Sequence, residues 1–135
     1  PEVVADAEPV LKEHGVADRV TVTGGDFFTD PLPAGADAYI LKSIIHNWPD
    51  ERCLALLRRL RETIGDATLI MIDQVVPALN QWDHSKIIDI DMLVLFGGQE
   101  RTLREWSDLL DAAGFTLVNT PAERGWALLE ARVTA

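Results

Sequence analysis

Asp37-Ala-Tyr-Ile-Leu-Lys-Ser-Ile-Ile-His-Asn-Trp-Pro-Asp-Glu-Arg-Cys53 sets an apolar strand, a lysine, a histidine and a helix start in immediate succession. That order places polar chemistry at the carboxyl end of a strand. In open α/β sheets the crevice beyond those carboxyl ends is where ligands bind, because loops there carry reactive groups on a rigid base. The segment is therefore the first place to seek function.

Working outward, Pro49, Asp50 and Glu51 suit the first turn of a helix, where proline's missing donor costs nothing and carboxylates face the positive end of the dipole. Cys53, Leu56, Leu57, Leu60 and Ile64 give that helix its buried stripe. Gly65-Asp66 turns the chain into the continuous apolar run Thr68 to Ile72, which predicts a central strand covered on both faces. On the amino-terminal side, Val3, Val4, Ala7, Val10 and Leu11 fall on one helical face that Gly15 ends, predicting a helix near residues 2 to 14. Val20 and Val22 alternate with polar residues and predict a short strand from Arg19 to Thr23. The stretch Thr29 to Asp37, with Pro31, Pro33 and Gly35, reads as a loop into a strand at Ala38 to Leu41.

Toward the carboxyl end, Asp83 to Phe96 forms a helix whose apolar residues occupy nearly every side, interrupted by Asp89 and Asp91. Such a helix is expected to be buried by its own domain or by a partner. Thr102 and Glu105 have capping-box spacing, and Leu103, Trp106, Leu110 and Ala113 form a stripe that stops at Gly114. Phe115 to Asn119 and Trp126 to Val133 then read as an antiparallel strand pair. Helices and strands alternate up to that pair, so the class is α/β with a mainly parallel, doubly wound sheet.

Composition narrows the function. The 135 residues suffice for one domain, and 47% hydrophobic residues with nine Gly and seven Pro match an ordinary globular protein. A net charge of −10 repels a phosphate backbone, and the basic run Arg58-Arg59-Leu60-Arg61 reads as a solvated helix face, so nucleic acid is not expected as a partner. No apolar stretch reaches the roughly eighteen residues needed to span a bilayer, and the lone Cys53 cannot form an internal disulfide. No membrane partner is expected, and the cytoplasm is the expected location. Pro1 to Asp6 lacks a signal-peptide pattern and a starting Met, so a preceding segment is expected.

Four motifs in order then carry a resemblance: Gly24-Gly25-Asp26-Phe27-Phe28; Ala36-Asp37-Ala38-Tyr39 with Leu41-Lys42; His46-Asn47-Trp48 with Asp50; and Gly97-Gly98-Gln99-Glu100-Arg101-Thr102 with Ala113-Gly114-Phe115. Together they resemble the catalytic domain of S-adenosylmethionine-dependent O-methyltransferases of the plant phenolic and bacterial polyketide type. The resemblance spans essentially the whole chain. It implies a Rossmann-like methyltransferase sheet that is incomplete here, its first two strands and glycine-rich cofactor loop missing. Residues 1–135 would then be the carboxyl-terminal portion of a catalytic domain. The missing strands would sit between Arg19 to Thr23 and Ala38 to Leu41, leaving a gap whose exposed backbone groups another segment must fill. The family's amino-terminal dimerisation domain is absent as well, and a homodimer is implied for the intact parent.

By the same resemblance His46 aligns with the catalytic base, and Asp73 and Glu100 with the acidic residues that orient it. An O-methyltransferase needs a base near neutral pKa and tight positioning, which histidine braced by carboxylates provides. Asp26 and Phe27 resemble the pair that meets the adenine of S-adenosylmethionine, Lys42 the residue at the cofactor's polar end, and Trp48 the aromatic near the adenosine. Met92 resembles a substrate-pocket position, and no metal is implied. Blander readings stand beside these: His46 as a cap or surface residue, Asp73 as a strand end bonded to backbone, Glu100 in a surface pair with Arg101, Phe27 as packing, Lys42 as a snorkelling lysine and Met92 as core filler. Asn47 stands where many relatives carry Asp.

The implied reaction is transfer of methyl to a hydroxyl of a small aromatic or polyketide-like metabolite. Two alternatives remain: a non-catalytic remnant or dimerisation module of the same fold, and a branch diverted to cofactor-assisted hydroxylation or decarboxylation.

Overall fold

The computed structural model describes residues 2–78, 80–119, 122 and 124–134. The chain divides into two compact units, Pro1–Pro31 and Leu32–Ala135.

The first unit holds α1 (Glu2–Ala5), α2 (Ala7–Glu13) and a 3₁₀ turn at Ala17–Arg19. Two short helices thus replace the single expected one, and Pro9 explains the break. Its missing N–H would have bonded the carbonyl of Ala5, the residue at which α1 ends. The expected strand from Arg19 to Thr23 does not form; Val20 and Val22 stay 43% and 42% exposed. Alternation alone does not make a strand when no neighbouring strand supplies the ladder. The Gly24–Phe28 motif forms a turn in which the Asp26 carboxylate accepts the Phe28 N–H at 2.8 Å.

The second unit is built on β1 (Ala38–Lys42), β2 (Thr68–Val75), β3 (Phe115–Leu117) and β4 (Gly125–Val133), in the spatial order β1-β2-β4-β3. Helix α3 (Asp50–Ile64) connects β1 to β2, while α4 (Ser85–Phe96) and α5 (Leu103–Ala113) connect β2 to β3. Among the described strands only β1 and β2 pair in parallel; β4 runs antiparallel to both β2 and β3. The described sheet is accordingly mixed rather than mainly parallel, because β4 inserts between β2 and β3. Strand β1 lies at its edge.

One face of the sheet is packed. Tyr39, Leu69, Met71, Val75, Ala127, Leu129 and Ala131 point to it and are buried, with the α3 stripe and with Trp106, Leu109 and Leu110 of α5. The other face carries Ile40, Trp126 and Leu128, which are 62%, 56% and 48% exposed. Strand β2 alternates buried with half-buried residues, so the expected cover on both faces is found on one. Helix α4 is not covered by its own domain, the first of the two expected sources: of its residues Ser85 alone is buried, while Leu93, Val94, Leu95 and Phe96 are all more than half exposed. Its all-round apolar composition does not find cover within the described chain.

Candidate active site

Strand β1 delivers the chain to a tight turn. Ser43 takes a left-handed conformation at φ 53°, unusual for a residue with a Cβ, and its N–H bonds the Ile72 carbonyl at 3.0 Å. Asn47 steadies this turn by donating its side-chain amide to the Ser43 carbonyl at 3.0 Å. The 3₁₀ turn Ile45–Asn47 follows and buries His46 to 9% exposure. The helix-cap and surface readings of His46 therefore fail: Pro49 caps α3 and the imidazole lies inside.

Asp73 stands fully buried near the end of β2, and Glu100 lies in the loop between α4 and α5 at 5% exposure. Glu100 Oε1 is 2.8 Å from His46 Nδ1, and Asp73 Oδ1 is 3.3 Å from the same nitrogen. A carboxylate only accepts, so Nδ1 carries the proton and the neutral ring keeps its lone pair on Nε2. Asp73 Oδ2 also accepts the His46 backbone N–H at 3.4 Å. Hence Asp73 does bond neighbouring backbone, but it faces the imidazole too.

Burial opposes charge on the imidazole, yet the Glu100 hydrogen bond and the negative potential of Asp73 and Glu100 outweigh it and raise the His46 pKa above 6.5. Asp73 is pushed up to about 6, first by burial and further by Glu100, against the opposing pull of His46. The buried Glu100 Oε2 has no hydrogen-bond partner among the described residues. His46 and Asp73 thus both hold a proton more tightly than the free side chains do. Its one nitrogen and two carboxylates lie within 4.8 Å of one another and could also hold a divalent cation. However, the 2.8 Å between Nδ1 and Oε1 is a hydrogen-bond spacing, shorter than the ~3.3 Å that tetrahedral ligands about 2.0 Å from zinc would keep.

The loop carrying Glu100 is stitched to the histidine turn. Gly97 ends α4 in a left-handed conformation at φ 71°, and the Gln99 N–H bonds the His46 carbonyl at 3.0 Å. A Cβ on Gly98 would collide with that carbonyl and with the Asn47–Trp48 peptide, so only glycine allows this approach. The Glu100 N–H is held by Asp89 of α4 at 2.8 Å. The Gly97-Gly98 pair stood in the sequence motif, whereas Asp89 was not singled out as a support; its one signal was an acidic residue interrupting an apolar helix.

The surface pair of Glu100 with Arg101 is not formed. Arg101 is 1% exposed and pairs with Asp50 at 2.6 Å. Lys42 is exposed at the end of β1, its Nζ 5.6 Å from the centre of the Trp126 ring. Trp48 is half-buried beside the Arg52 guanidinium, 5.3 Å from its ring centre. Met92 is half-buried on α4, and its carbonyl accepts the Gly98 N–H. Asp26 and Phe27 belong to the first unit, where Phe27 packs tilted on Phe28 with ring centres 4.8 Å apart. A cleft of about 1270 Å³ lies between α4 and the start of α5, lined by Pro77, Lys86, Asp89 and Leu103 among others, but not by His46, Asp73 or Glu100.

The family of O-methyltransferase domains matches residues 1–116. This chain belongs to that family. Among its relatives, an 8-amino-8-demethylriboflavin N,N-dimethyltransferase from Streptomyces davaonensis is 42% identical over 139 residues, covering 100% of this chain and 39% of the relative. A phenazine O-methyltransferase from Lysobacter antibioticus is 39% identical, covering 98% of this chain and 39% of the relative. Among solved structures, that of LaPhzM superposes with a TM-score of 0.89 at 38% identity, over 98% of this chain and 40% of the other. The O-methyltransferase NcsB1, solved with S-adenosylmethionine and 2-hydroxy-5-methyl naphthoic acid, superposes with a TM-score of 0.83 at 31% identity, over 96% of this chain and 38% of the other. The chain thus spans about two fifths of the length of these O-methyltransferase-family relatives. No helix among the described residues is long and apolar enough to cross a membrane.

Proposed function

We propose that the protein carrying this chain transfers methyl from S-adenosylmethionine to a hydroxyl of a small aromatic or polyketide-like metabolite, with His46 as general base. The observation that carries the reading is the 2.8 Å bond from His46 Nδ1 to Glu100 in a buried turn, which commits the opposite ring nitrogen to accepting a proton. His46 Nε2 takes the hydroxyl proton as the acceptor oxygen forms its bond to carbon. Glu100 and Asp73 then stabilise the imidazolium, as a carboxylate does in any acid-oriented histidine. S-adenosylmethionine, when bound, supplies an electrophilic methyl on a sulfonium whose bond to sulfur breaks as the new bond forms.

Residues of this chain fit that cofactor in kind. In the first unit taken by itself, Asp26 and Phe27 are a carboxylate and a ring of the kinds that suit an adenine; in the second, Trp48 is a further ring and Lys42 a cation suited to the cofactor's carboxylate end. On this reading residues 1–135 form the carboxyl-terminal portion of the catalytic domain, the glycine-rich loop comes from polypeptide outside them, and the whole protein works as a cytoplasmic homodimer. The edge position of β1 supports the first of these points alone, since a further strand can pair on its outer side.

In the full-length protein, His46→Ala is expected to depress methyl transfer about a hundredfold or more while leaving affinity for S-adenosylhomocysteine largely intact. An unchanged rate removes the base and leaves positioning alone. A full-length protein that never binds S-adenosylhomocysteine by calorimetry supports a non-catalytic module instead. An amine acceptor is a second reading, favoured by the 42% identity to an enzyme named for N,N-dimethylation. Paired amino and hydroxy analogues of one ring, followed by mass spectrometry for added methyl or oxygen, separate these chemistries.

A further inference from the structure

Arg101 is the most deeply buried cation of the second unit, and nothing in the reaction requires a guanidinium at that place. Its Nε and Nη2 both donate to Asp50 Oδ1, at 3.1 and 2.6 Å, at the start of α3. Nη2 reaches the Trp48 carbonyl at 3.3 Å, on the chain leaving the histidine turn, and Nη1 the Gln99 carbonyl at 3.2 Å, next to Glu100. The guanidinium lies 5.5 Å from the ring centre of Trp106, whose indole N–H holds the Gln74 carbonyl at 3.2 Å, directly after Asp73. Finally, the Arg101 carbonyl accepts the Val76 N–H at 2.9 Å, tying the loop to the end of β2. One side chain therefore touches, or touches the support of, each segment that bears a member of the His46–Asp73–Glu100 cluster. A planar fork with several fixed donors can do this, whereas an ammonium on a flexible stem cannot hold so many acceptors in one geometry.

We propose that Arg101 is a positioning residue for proton transfer: it locks the Glu100 loop against the histidine turn and so sets the Glu100–Nδ1 hydrogen bond. This role rests on the reading of His46 as the base. Its test, however, needs no methyl donor, so the two readings fail separately.

The His46 imidazole is titrated by NMR in the full-length protein and in Arg101→Met and Arg101→Lys, its signals assigned by their loss in His46→Ala. If Arg101 acted only through its charge, removing the cation in Arg101→Met would raise the His46 pKa, and Arg101→Lys would titrate like the parent. Positioning predicts the opposite sign: a slackened Glu100 bond lowers the His46 pKa by about half a unit or more in both variants. A rise in Arg101→Met, or a parent-like titration of a folded Arg101→Lys, overturns the proposal. Should neither Arg101 variant fold, Asp50→Asn decides, since Asp50 has a 60% exposed side chain and its loss leaves no cavity. The Nδ1 proton resonance shared with Glu100 is expected to move upfield or vanish in that variant, and an unmoved resonance overturns the proposal. Under the methyl-transfer reading, Arg101→Lys lowers kcat with little change in the acceptor KM.

Discussion

Helices α4 and α5 are close in length and follow one another in the chain, yet they meet opposite fates. Helix α5 begins in a reciprocal capping box between Thr102 and Glu105, ends at Gly114, and buries Trp106, Leu109, Leu110 and Ala113. Helix α4 has no side-chain cap from His84 and buries Ser85 alone among its residues. The difference is one of pattern. In α5 the apolar residues form a single stripe that one packed surface can cover, whereas those of α4 surround the helix, and one neighbour cannot cover them all. The candidate site hangs on the well-packed side: Trp106 supports both Arg101 and Gln74, while α4 contributes mainly the Asp89 carboxylate that holds the Glu100 N–H.

The comparison breaks most visibly at Trp106. Trp106→Ala removes a fully buried ring and is expected to cost about 3–5 kcal/mol, read by denaturant unfolding of the full-length protein. A cost near zero would mean that α5 does not anchor the site.

A smaller effect sharpens the electrostatic side. The folded protein holds the Asp73 proton up to about pH 6, while an unfolded aspartate releases it near 3.8. The folded state therefore binds more protons across that window, and stability falls as pH rises through it. His46 acts in the same sense at higher pH: with its folded pKa raised, its contribution is full below 6.5 and lost as pH climbs through the folded value. Asp73→Asn cannot ionise, so unfolding measured between pH 4 and 7 should show a flatter slope than the parent. Parallel slopes would contradict the buried, proton-holding Asp73.

The smallest effect belongs to α4. Val94 is 75% exposed, and Val94→Ser should change stability by under about 0.5 kcal/mol in denaturant unfolding if nothing beyond the described residues covers it. A larger loss would show that a surface beyond the described residues covers α4.

Much of this was legible beforehand for a local reason. Glycine at Gly97 and Gly114, the Thr102–Glu105 box, and the period of the α3 and α5 stripes are decided by residues within a few positions of one another, so those element bounds followed from the sequence within a few residues. The single first helix failed because Pro9 lacks the N–H that would have bonded the Ala5 carbonyl, itself a local signal. The strand at Arg19 to Thr23 failed because a strand depends on a partner that local alternation does not supply. The sequence left the cover of α4 between its own domain and a partner for a similar reason, since apolarity states a demand for cover and not its source; the described chain does not supply it.

The site divides along the same line. By itself the sequence determined that a histidine follows the first strand of the second unit, that an aspartate lies toward the end of the next, and that a glutamate follows a glycine pair. That these three converge within hydrogen-bonding distance, that Gly98 clears the way for the His46 carbonyl, and that Arg101 turns inward to Asp50 instead of pairing with Glu100, only the tertiary structure decided. Residue types set which groups can exchange protons. The distances and the burial that tune them arise from segments as many as 54 positions apart in the chain, brought together by the packing of α3 and α5 on a shared core.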